Sequence, residues 1–195
     1  KQLGSTYMQF IPIVERHAQT QSVTDFSVPS EGYGQFLVDV FHEWYEHDVG
    51  KIYVSQFDNL LGQWLGYPST TCVHQPTCGQ SLVTEANGDV YACDHFVYPE
   101  YKVGNLTQQP LTEIMFSSKQ QQFGLEKSQK LTALCRHCEF RKFCYGGCPK
   151  HRFVSLENEP NPHNYLCASY RYFFEQTAPY MQAMARQIRL HPSAA

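Results

Sequence analysis

The sequence predicts an α+β fold in which a short α/β portion precedes a small cysteine-rich domain. Strand-like and helix-like segments alternate over the first 71 residues. All eight cysteines of the 195-residue chain lie between Cys72 and Cys167, where a β-hairpin pattern and short helical segments also occur. A chain of this length is enough for one domain of ordinary size and part of a second.

The first 71 residues predict a strand, a helix, a second strand and a short helix. The apolar run from Tyr7 to Val14 predicts a buried strand. Apolar residues recur at helical spacing over 32–48, which predicts an amphipathic helix that ends before Gly50. Residues 51–57 predict the second strand, and 58–65 the short helix. This is the order of an α/β unit, but it is too short for a complete α/β domain.

The cysteine-rich stretch predicts a hairpin, a broken helix and a loop. Residues 81–85 and 89–93 flank Asn87-Gly88, the preferred pair of a type I′ turn. Residues 110–129 predict a helix with breaks. The density of Cys and Gly over 135–149 predicts an irregular loop that carries ligands.

These patterns divide the chain into three parts. They are residues 1–71, residues 72–167 and a C-terminal helical segment over residues 168–195. The last part is predicted to be helical because Met181 and Met184 share one helix face after Pro179.

Composition excludes several classes of protein. The net charge of −3 argues against nucleic-acid binding, and the chain has no apolar run of the roughly 20 residues that a membrane-spanning helix needs. The N-terminal residues show no signal-peptide pattern, so we expect a cytoplasmic protein whose cysteines stay reduced.

The cysteine spacing predicts two sites with four ligands each. The spacing runs Cys72-x5-Cys78-x14-Cys93, then Cys135-x2-Cys138-x5-Cys144-x3-Cys148, then x18 to Cys167. Local groups of this kind are typical of metal or cluster binding. Scattered buried cysteines or a disulfide framework fit the pattern poorly. Zinc and iron–sulfur clusters both accept four thiolates, and the x5 and x3 spacings favour iron–sulfur.

The spacing resembles a known family. Cys78-x9-Gly88-x4-Cys93 and the cysteines that follow resemble the SPASM extension of radical SAM enzymes. The additional Cys72, and Asp94 directly after Cys93, are similar to the anaerobic sulfatase-maturating subgroup, as are residues 9–16 and 102–106. The resemblance covers nearly the whole chain. It implies that residues 1–71 are the end of the radical SAM partial barrel and residues 72–167 a SPASM domain.

The resemblance also implies a ligand set that the spacing alone would not favour. Loop-closure entropy favours grouping the four cysteines between positions 135 and 148. The family instead interleaves the two sets, and closure entropy grows slowly enough with loop length to permit this. By resemblance, auxiliary cluster one is held by Cys72, Cys78, Cys93 and Cys148. Auxiliary cluster two is held by Cys135, Cys138, Cys144 and Cys167, and both are expected to be 4Fe-4S clusters.

The family oxidises a Cys or Ser side chain of a sulfatase to formylglycine, so the resemblance implies a sulfatase polypeptide or peptide as the substrate. Asp94 is then the expected general base, since it adjoins a cluster ligand. Without the family, Asp94 is interpreted as a turn residue that hydrogen-bonds local backbone. Five basic residues near the second cysteine group are candidates to offset cluster charge: Arg136, Arg141, Lys142, Lys150 and Arg152.

Radical SAM enzymes bind their SAM-cleaving cluster through C-x3-C-x2-C, and the sequence lacks this motif. We therefore expect the chain to be a fragment that does not cleave S-adenosylmethionine alone. S-adenosylmethionine and a third 4Fe-4S cluster are expected on the N-terminal part of the parent enzyme, and no SAM-binding residue is assigned.

Two alternatives stay open. The chain could be the SPASM part of a maturase that modifies another peptide. It could also be a non-catalytic interaction module stabilised by zinc or iron–sulfur, and zinc could replace iron in an isolated fragment.

Overall fold

The computed structural model describes residues 4–191. Its residues fall into two compact units. We call the first, which combines the chain up to Thr71 with the chain from Tyr165 onward, the helical unit. The second, Cys72–Asn164, is the cysteine unit. The predicted parts also include residues 1–3 and 192–195, which lie outside the described residues.

Residues 4–191 contain short strands, helices and 3-10 turns. The strands are Tyr7–Met8 (β1), Tyr53–Val54 (β2), Val83–Thr84 (β3), Asp89–Tyr91 (β4), Lys102–Asn105 (β5), Arg152–Val154 (β6) and His163–Asn164 (β7). The helices are Gly32–His47 (α1), Ser55–Leu65 (α2), Leu111–Met115 (α3), Ser118–Gln129 (α4), Ala133–Arg136 (α5), Arg141–Cys144 (α6) and Cys167–Leu190 (α7). The 3-10 turns are Cys72–His74, Asp94–Phe96, Pro99–Tyr101 and Pro149–His151.

This mixture of helices and small sheets confirms the predicted α+β class, and residues 4–191 form no closed barrel. Among the helices of this range, none has the length and apolar character needed to cross a membrane.

An aromatic core holds the helical unit together. Phe41 of α1 meets Phe57 of α2 edge to face, with ring centroids 5.4 Å apart, and also contacts Phe173 of α7. All three side chains are buried. Such pairs add to the free energy gained by burying apolar area.

A glycine brings α1 close to α7 in this unit. A Cβ at Gly34 would lie 2.7 Å from the Cα and the carbonyl oxygen of Ser169, which is too close for any larger residue. The Gly34 amide donates to the Ser169 hydroxyl at 2.8 Å, and that hydroxyl donates to the Ser30 carbonyl. This contact aligns the two helices.

The predicted buried strand over residues 7–14 is wrong. β1 covers two residues, and Tyr7, Ile11 and Ile13 are exposed, whereas Val14 is buried. β1 pairs in parallel only with β2 within the described chain, and β2 is equally short. The second strand ends at Val54 because the Asp58 carboxylate accepts the Val54 amide at 2.7 Å and helix α2 begins at Ser55.

The C-terminal helix begins at Cys167, next to the start of the helical segment predicted over residues 168–195, and it continues through Pro179. A proline inside a helix removes one backbone hydrogen bond. Burial of Phe173 and Phe174 before Pro179, and of Met181 and Met184 after it, stabilises the helix on both sides.

The predicted hairpin is present in the cysteine unit, but its turn is not type I′. β3 pairs with β4, and β4 pairs with β5, both antiparallel. Gly88 has a φ of +83°, whereas Asn87 is not among the residues with positive φ. A type I′ turn needs positive φ at both central residues. The Asn87 side chain instead accepts the Asp89 amide at 3.0 Å.

Candidate metal centre

Helix α4 fixes the loop that carries Cys72 and Cys78. Gly124 lets the helix approach this loop, since a Cβ there would lie 2.6 Å from the Cys78 carbonyl oxygen. The Cys78 amide donates to the Gly124 carbonyl at 3.1 Å. One turn further along α4, the Lys127 ammonium donates to the carbonyls of Cys72 and Val73. One helix face therefore positions both cysteines.

The same helix connects this loop to the segment that carries Cys93. The buried Gln120 amide donates to the Gly79 carbonyl at 2.7 Å and to the Ala92 carbonyl at 3.1 Å. Gly79 follows Cys78, and Ala92 precedes Cys93. Cys93 itself is extended and leads into the turn Asp94–Phe96.

Cys148 comes close to this group through a bend in the chain. Tyr145, Gly146 and Gly147 all have positive φ, which turns the backbone sharply between Cys144 and Cys148. The Asn164 side chain donates to the carbonyls of Gly146 and Cys148. The Cys148 sulfur then lies 3.5 Å from Nδ1 of His95, two residues after Cys93.

Four thiols are thus close enough to influence one another electrostatically. Burial raises the pKa of Cys148 to about 11, and charges on Cys78 and Cys72 add to this shift. Burial raises the pKa of Cys93 to about 12, with a smaller contribution from Cys148. Burial also raises the pKa of Cys78, to which Cys72 contributes. These neighbours are the four predicted ligands of auxiliary cluster one.

The second predicted set lies around helices α5 and α6. The Thr132 hydroxyl caps α5 by accepting the Cys135 amide at 3.3 Å, and it also contacts Nδ1 of His163 at 3.0 Å. The Cys135 sulfur lies 3.7 Å from the same His163 nitrogen. The Cys138 amide donates to the Cys135 carbonyl, so the Cys-x2-Cys pair forms one tight turn.

The predicted irregular loop over residues 135–149 therefore contains short helical segments, namely the end of α5 and the whole of α6. Cys144 is the last residue of α6. Cys167, the fourth predicted ligand of this set, is the first residue of α7 and belongs to the helical unit. None of the eight cysteines, all of which lie within residues 4–191, forms a disulfide.

Asp94 lies beside the first set. Its Oδ1 accepts a hydrogen bond from the Cys93 thiol at 3.0 Å and another from the His95 amide at 3.0 Å. The thiol hydrogen bond lowers the pKa of Asp94 below its ordinary value. The side chain is exposed, so a substrate could approach the carboxylate.

Arg152, one of the five basic residues singled out in the sequence, contacts the loop between two cysteines directly. Its guanidinium donates to the carbonyls of Tyr145 and Gly146, between Cys144 and Cys148. Lys150 instead donates to the Tyr98 hydroxyl, and Arg141 donates to the Arg136 carbonyl, both at exposed positions.

Sequence reasoning missed Lys127, Gln120 and Gly124. Helix α4 is mostly polar, so its hydrophobic pattern does not show that one face is buried. The spacing i, i+4, i+7 of these three residues places them on one helix face. This spacing is the sequence signal from which a buried face could have been predicted.

The donor set fits an anionic cluster with several thiolate ligands. Within residues 4–191, no group of three or more His, Cys, Asp or Glu side chains converges on a single metal ion. A cubane cluster differs from a single ion because each thiolate binds a different iron atom. Four neighbouring thiols, with Lys127 and Arg152 beside them, suit a group that carries negative charge.

Comparison with protein families identifies the cysteine-rich stretch. Residues 72–139 match the model of the SPASM domain, an iron-sulfur cluster-binding domain. This range contains five of the eight cysteines and Asp94.

The similarity to curated relatives extends over nearly the whole chain. A serine-type anaerobic sulfatase-maturating enzyme of Bacteroides thetaiotaomicron is 42% identical over 203 residues, covering 96% of this chain and 49% of the relative. A cysteine-type enzyme of Clostridium perfringens is 30% identical over 191 residues, covering 97% and 51%. The chain therefore spans about half the length of the curated relatives it matches.

Solved structures give the same result for the fold. Native anSMEcpe with bound AdoMet and Cp18Cys peptide matches with a TM-score of 0.80 at 30% identity, covering 94% of this chain and 51% of that one. The complex with Kp18Cys peptide gives a TM-score of 0.77 at the same identity and coverage. In sequence and in fold, the chain is similar to the C-terminal half of the anaerobic sulfatase-maturating enzymes, and its residues 72–139 match the SPASM iron-sulfur cluster-binding domain.

Proposed function

We propose that the chain is the part of a radical SAM enzyme that holds two auxiliary 4Fe-4S clusters and binds the substrate, a sulfatase polypeptide or peptide. The parent enzyme would oxidise a Cys or Ser of that substrate to formylglycine. The observation that carries the proposal is the grouping of Cys72, Cys78, Cys93 and Cys148 beside the exposed carboxylate of Asp94.

The neighbours of Cys148 support the interleaved ligand sets. Its thiol is influenced by Cys72 and Cys78, which are far away in sequence, as expected if the three bind one cluster. The second set would comprise Cys135, Cys138, Cys144 and Cys167, the last by resemblance to the family. Because burial raises the pKa of Cys78, Cys93 and Cys148, binding of a cluster would displace protons from these thiols.

Asp94 would act as the general base. In formylglycine formation the substrate loses a hydrogen atom from Cβ, a proton from its thiol or hydroxyl, and one further electron. A Ser substrate then already carries the aldehyde, whereas a Cys substrate gives a thioaldehyde that water hydrolyses with release of hydrogen sulfide. Once Cys93 is a thiolate ligand, it no longer donates a hydrogen bond to Asp94. The carboxylate then keeps the His95 amide as an orienting donor and can accept the substrate proton.

The bound clusters would supply a path for the electron, with potentials set by ligation and surroundings. S-adenosylmethionine would bind to another part of the parent enzyme. Because the ligands are reduced thiols, we place the protein in the cytoplasm.

Elemental analysis of anaerobically purified chain tests the cluster assignment. We expect about eight iron atoms and about eight acid-labile sulfides per chain, as two cubanes require. About two zinc ions without sulfide would contradict the proposal and favour a zinc-stabilised module. Aerobic purification is the matched control, because cluster loss there should lower iron and sulfide together.

A further inference from the structure

Two cations lie among the cysteines without a carboxylate to balance them. Lys127 is only 1% exposed, and Arg152 is half-buried. In the part of the chain that the structure describes, neither side chain forms an ion pair with Asp or Glu. Buried charges are costly unless an opposite charge or a metal site compensates them.

The hydrogen bonds of both cations end on neutral main-chain carbonyls. Lys127 donates to Cys72 and Val73. Arg152 donates to Tyr145 and Gly146, and its Nη1 donates to the Lys127 carbonyl at 2.7 Å. These bonds give the ammonium and the guanidinium neutral acceptors, but they place no negative charge beside either cation.

The two cations differ in the thiols they influence. The ammonium of Lys127 interacts with thiols of the first set only, at Cys72, Cys78 and Cys148. The guanidinium of Arg152 interacts with Cys78 and Cys148, and also with Cys135 and Cys144 of the second set. The hydrogen bonds agree, since Arg152 donates to Tyr145 and Gly146 between Cys144 of the second set and Cys148 of the first. Lys127 instead donates to the carbonyl of Cys72, so it lies beside the first set alone.

We propose that Lys127 and Arg152 are fixed countercharges for the two clusters, with Lys127 acting on the first cluster alone and Arg152 acting on both. This inference rests on the proposed cluster function. A cluster with four thiolates is anionic, and reduction adds a further negative charge. Nearby positive charge stabilises the reduced form more, so each cation should raise the reduction potential of the cluster it faces.

The experiment measures reduction potentials by anaerobic redox titration followed by EPR. In Lys127→Met, one of the two midpoint potentials should become more negative and the other should be unchanged. In Arg152→Gln, both should become more negative. Lys130→Met is the matched control, since Lys130 lies three residues from Lys127, is exposed and already pairs with Glu126. Its potentials should equal those of the unmodified chain.

A charge effect can be separated from a structural one at Arg152. Arg152→Lys keeps the charge but loses most of the carbonyl bonds, so it should retain both potentials that Arg152→Gln shifts. If Lys127→Met does not load with iron, Lys127→Gln replaces it, because its neutral amide can still donate to the Cys72 carbonyl, and the same shift of one potential is expected. The Arg152 pair tests the second cation independently. Equal potentials in Arg152→Gln and the unmodified chain, or equal shifts in Arg152→Lys and Arg152→Gln, would overturn the countercharge role.

Failure of the cluster function itself would be recognised separately. An unmodified chain that binds no iron and sulfide removes the proposed function before any potential is measured. A chain that loads fully but shows no change in the variants removes only the countercharge role.

Discussion

The thiol of Cys93 donates a hydrogen bond to the carboxylate of Asp94, with 3.0 Å between Sγ and Oδ1. A candidate cluster ligand and a candidate base thus occupy adjacent positions at the end of strand β4. This hydrogen bond lowers the pKa of Asp94, so the carboxylate is ionised near neutral pH. Because the two residues are adjacent, a base at Asp94 would lie close to a cluster bound by Cys93 and could accept a proton from the substrate there.

Asp94→Asn removes the proposed base and keeps the size of the side chain. In an enzyme that joins this chain to a SAM-cleaving part, formylglycine formation should fall by about 10²- to 10⁴-fold. Production of 5′-deoxyadenosine should remain measurable by chromatography. Glu100→Gln, an exposed acid in the next turn, is the control and should leave both products unchanged. Unchanged maturation in Asp94→Asn would exclude Asp94 from the mechanism.

Paired cysteine substitutions distinguish the interleaved ligand sets from the local ones. If Cys72 and Cys148 share a cluster, Cys72→Ala, Cys148→Ala and the double variant should each lose about four irons. Combining Cys148→Ala with Cys135→Ala should remove about eight. The local grouping predicts the reverse pattern, with only about four irons lost when Cys148 and Cys135 are both replaced. Iron and sulfide analysis after anaerobic purification measures the difference.

Two glycines of the helical unit should respond oppositely to alanine. A Cβ at Gly34 would lie 2.7 Å from Ser169 backbone atoms, so Gly34→Ala should destabilise the fold by about 1 to 3 kcal/mol. A Cβ at Gly62 meets nothing within 4 Å, so Gly62→Ala should stabilise α2 by about 0.5 to 1 kcal/mol. Thermal or urea unfolding followed by circular dichroism compares them. A neutral Gly34→Ala variant would show that the two helices separate easily.

Tyr33 should make the helical unit sensitive to alkaline pH. Burial raises the pKa of Tyr33 from 10.0 to about 12, and its hydroxyl donates to the Phe10 carbonyl at 2.8 Å. Because the pKa of Tyr33 is raised in the folded state, the neutral Tyr33 side chain contributes to the free energy of unfolding below pH 10. This contribution is lost as pH rises towards about 12. The loss should reach at most about 2.7 kcal/mol, since one pKa unit corresponds to about 1.36 kcal/mol.

Tyr33→Phe provides the comparison for this pH dependence. The difference in unfolding free energy between the unmodified chain and Tyr33→Phe should be constant up to about pH 9 and should shrink between pH 10 and 12. Urea unfolding at each pH measures it. Parallel stability curves over this range would mean that Tyr33 ionises without cost in the folded state.

Periodic patterns and residue spacing predicted much of the fold. The helical spacing over 32–48 predicted α1 within one residue of its observed end, and Asn87-Gly88 marked the hairpin. Short apolar runs were less informative, because the run from Tyr7 to Val14 has the hydrophobicity of a buried strand without the neighbouring strands that would bury it. The helical segment predicted over residues 168–195 contains Pro179, and burial of side chains on both sides of this proline stabilises the helix across it.

The sequence by itself determined the chemistry that we propose, since cysteine number and spacing predict thiolate ligation and Asp94 follows Cys93 in the chain. Only the tertiary structure decided which distant thiols become neighbours. It brings Cys148 to Cys72 and Cys78, and it buries Lys127 beside them. The physical reason is that spacing constrains only local closure, whereas the contacts of Gln120, Gly124 and Asn164 join segments far apart in sequence.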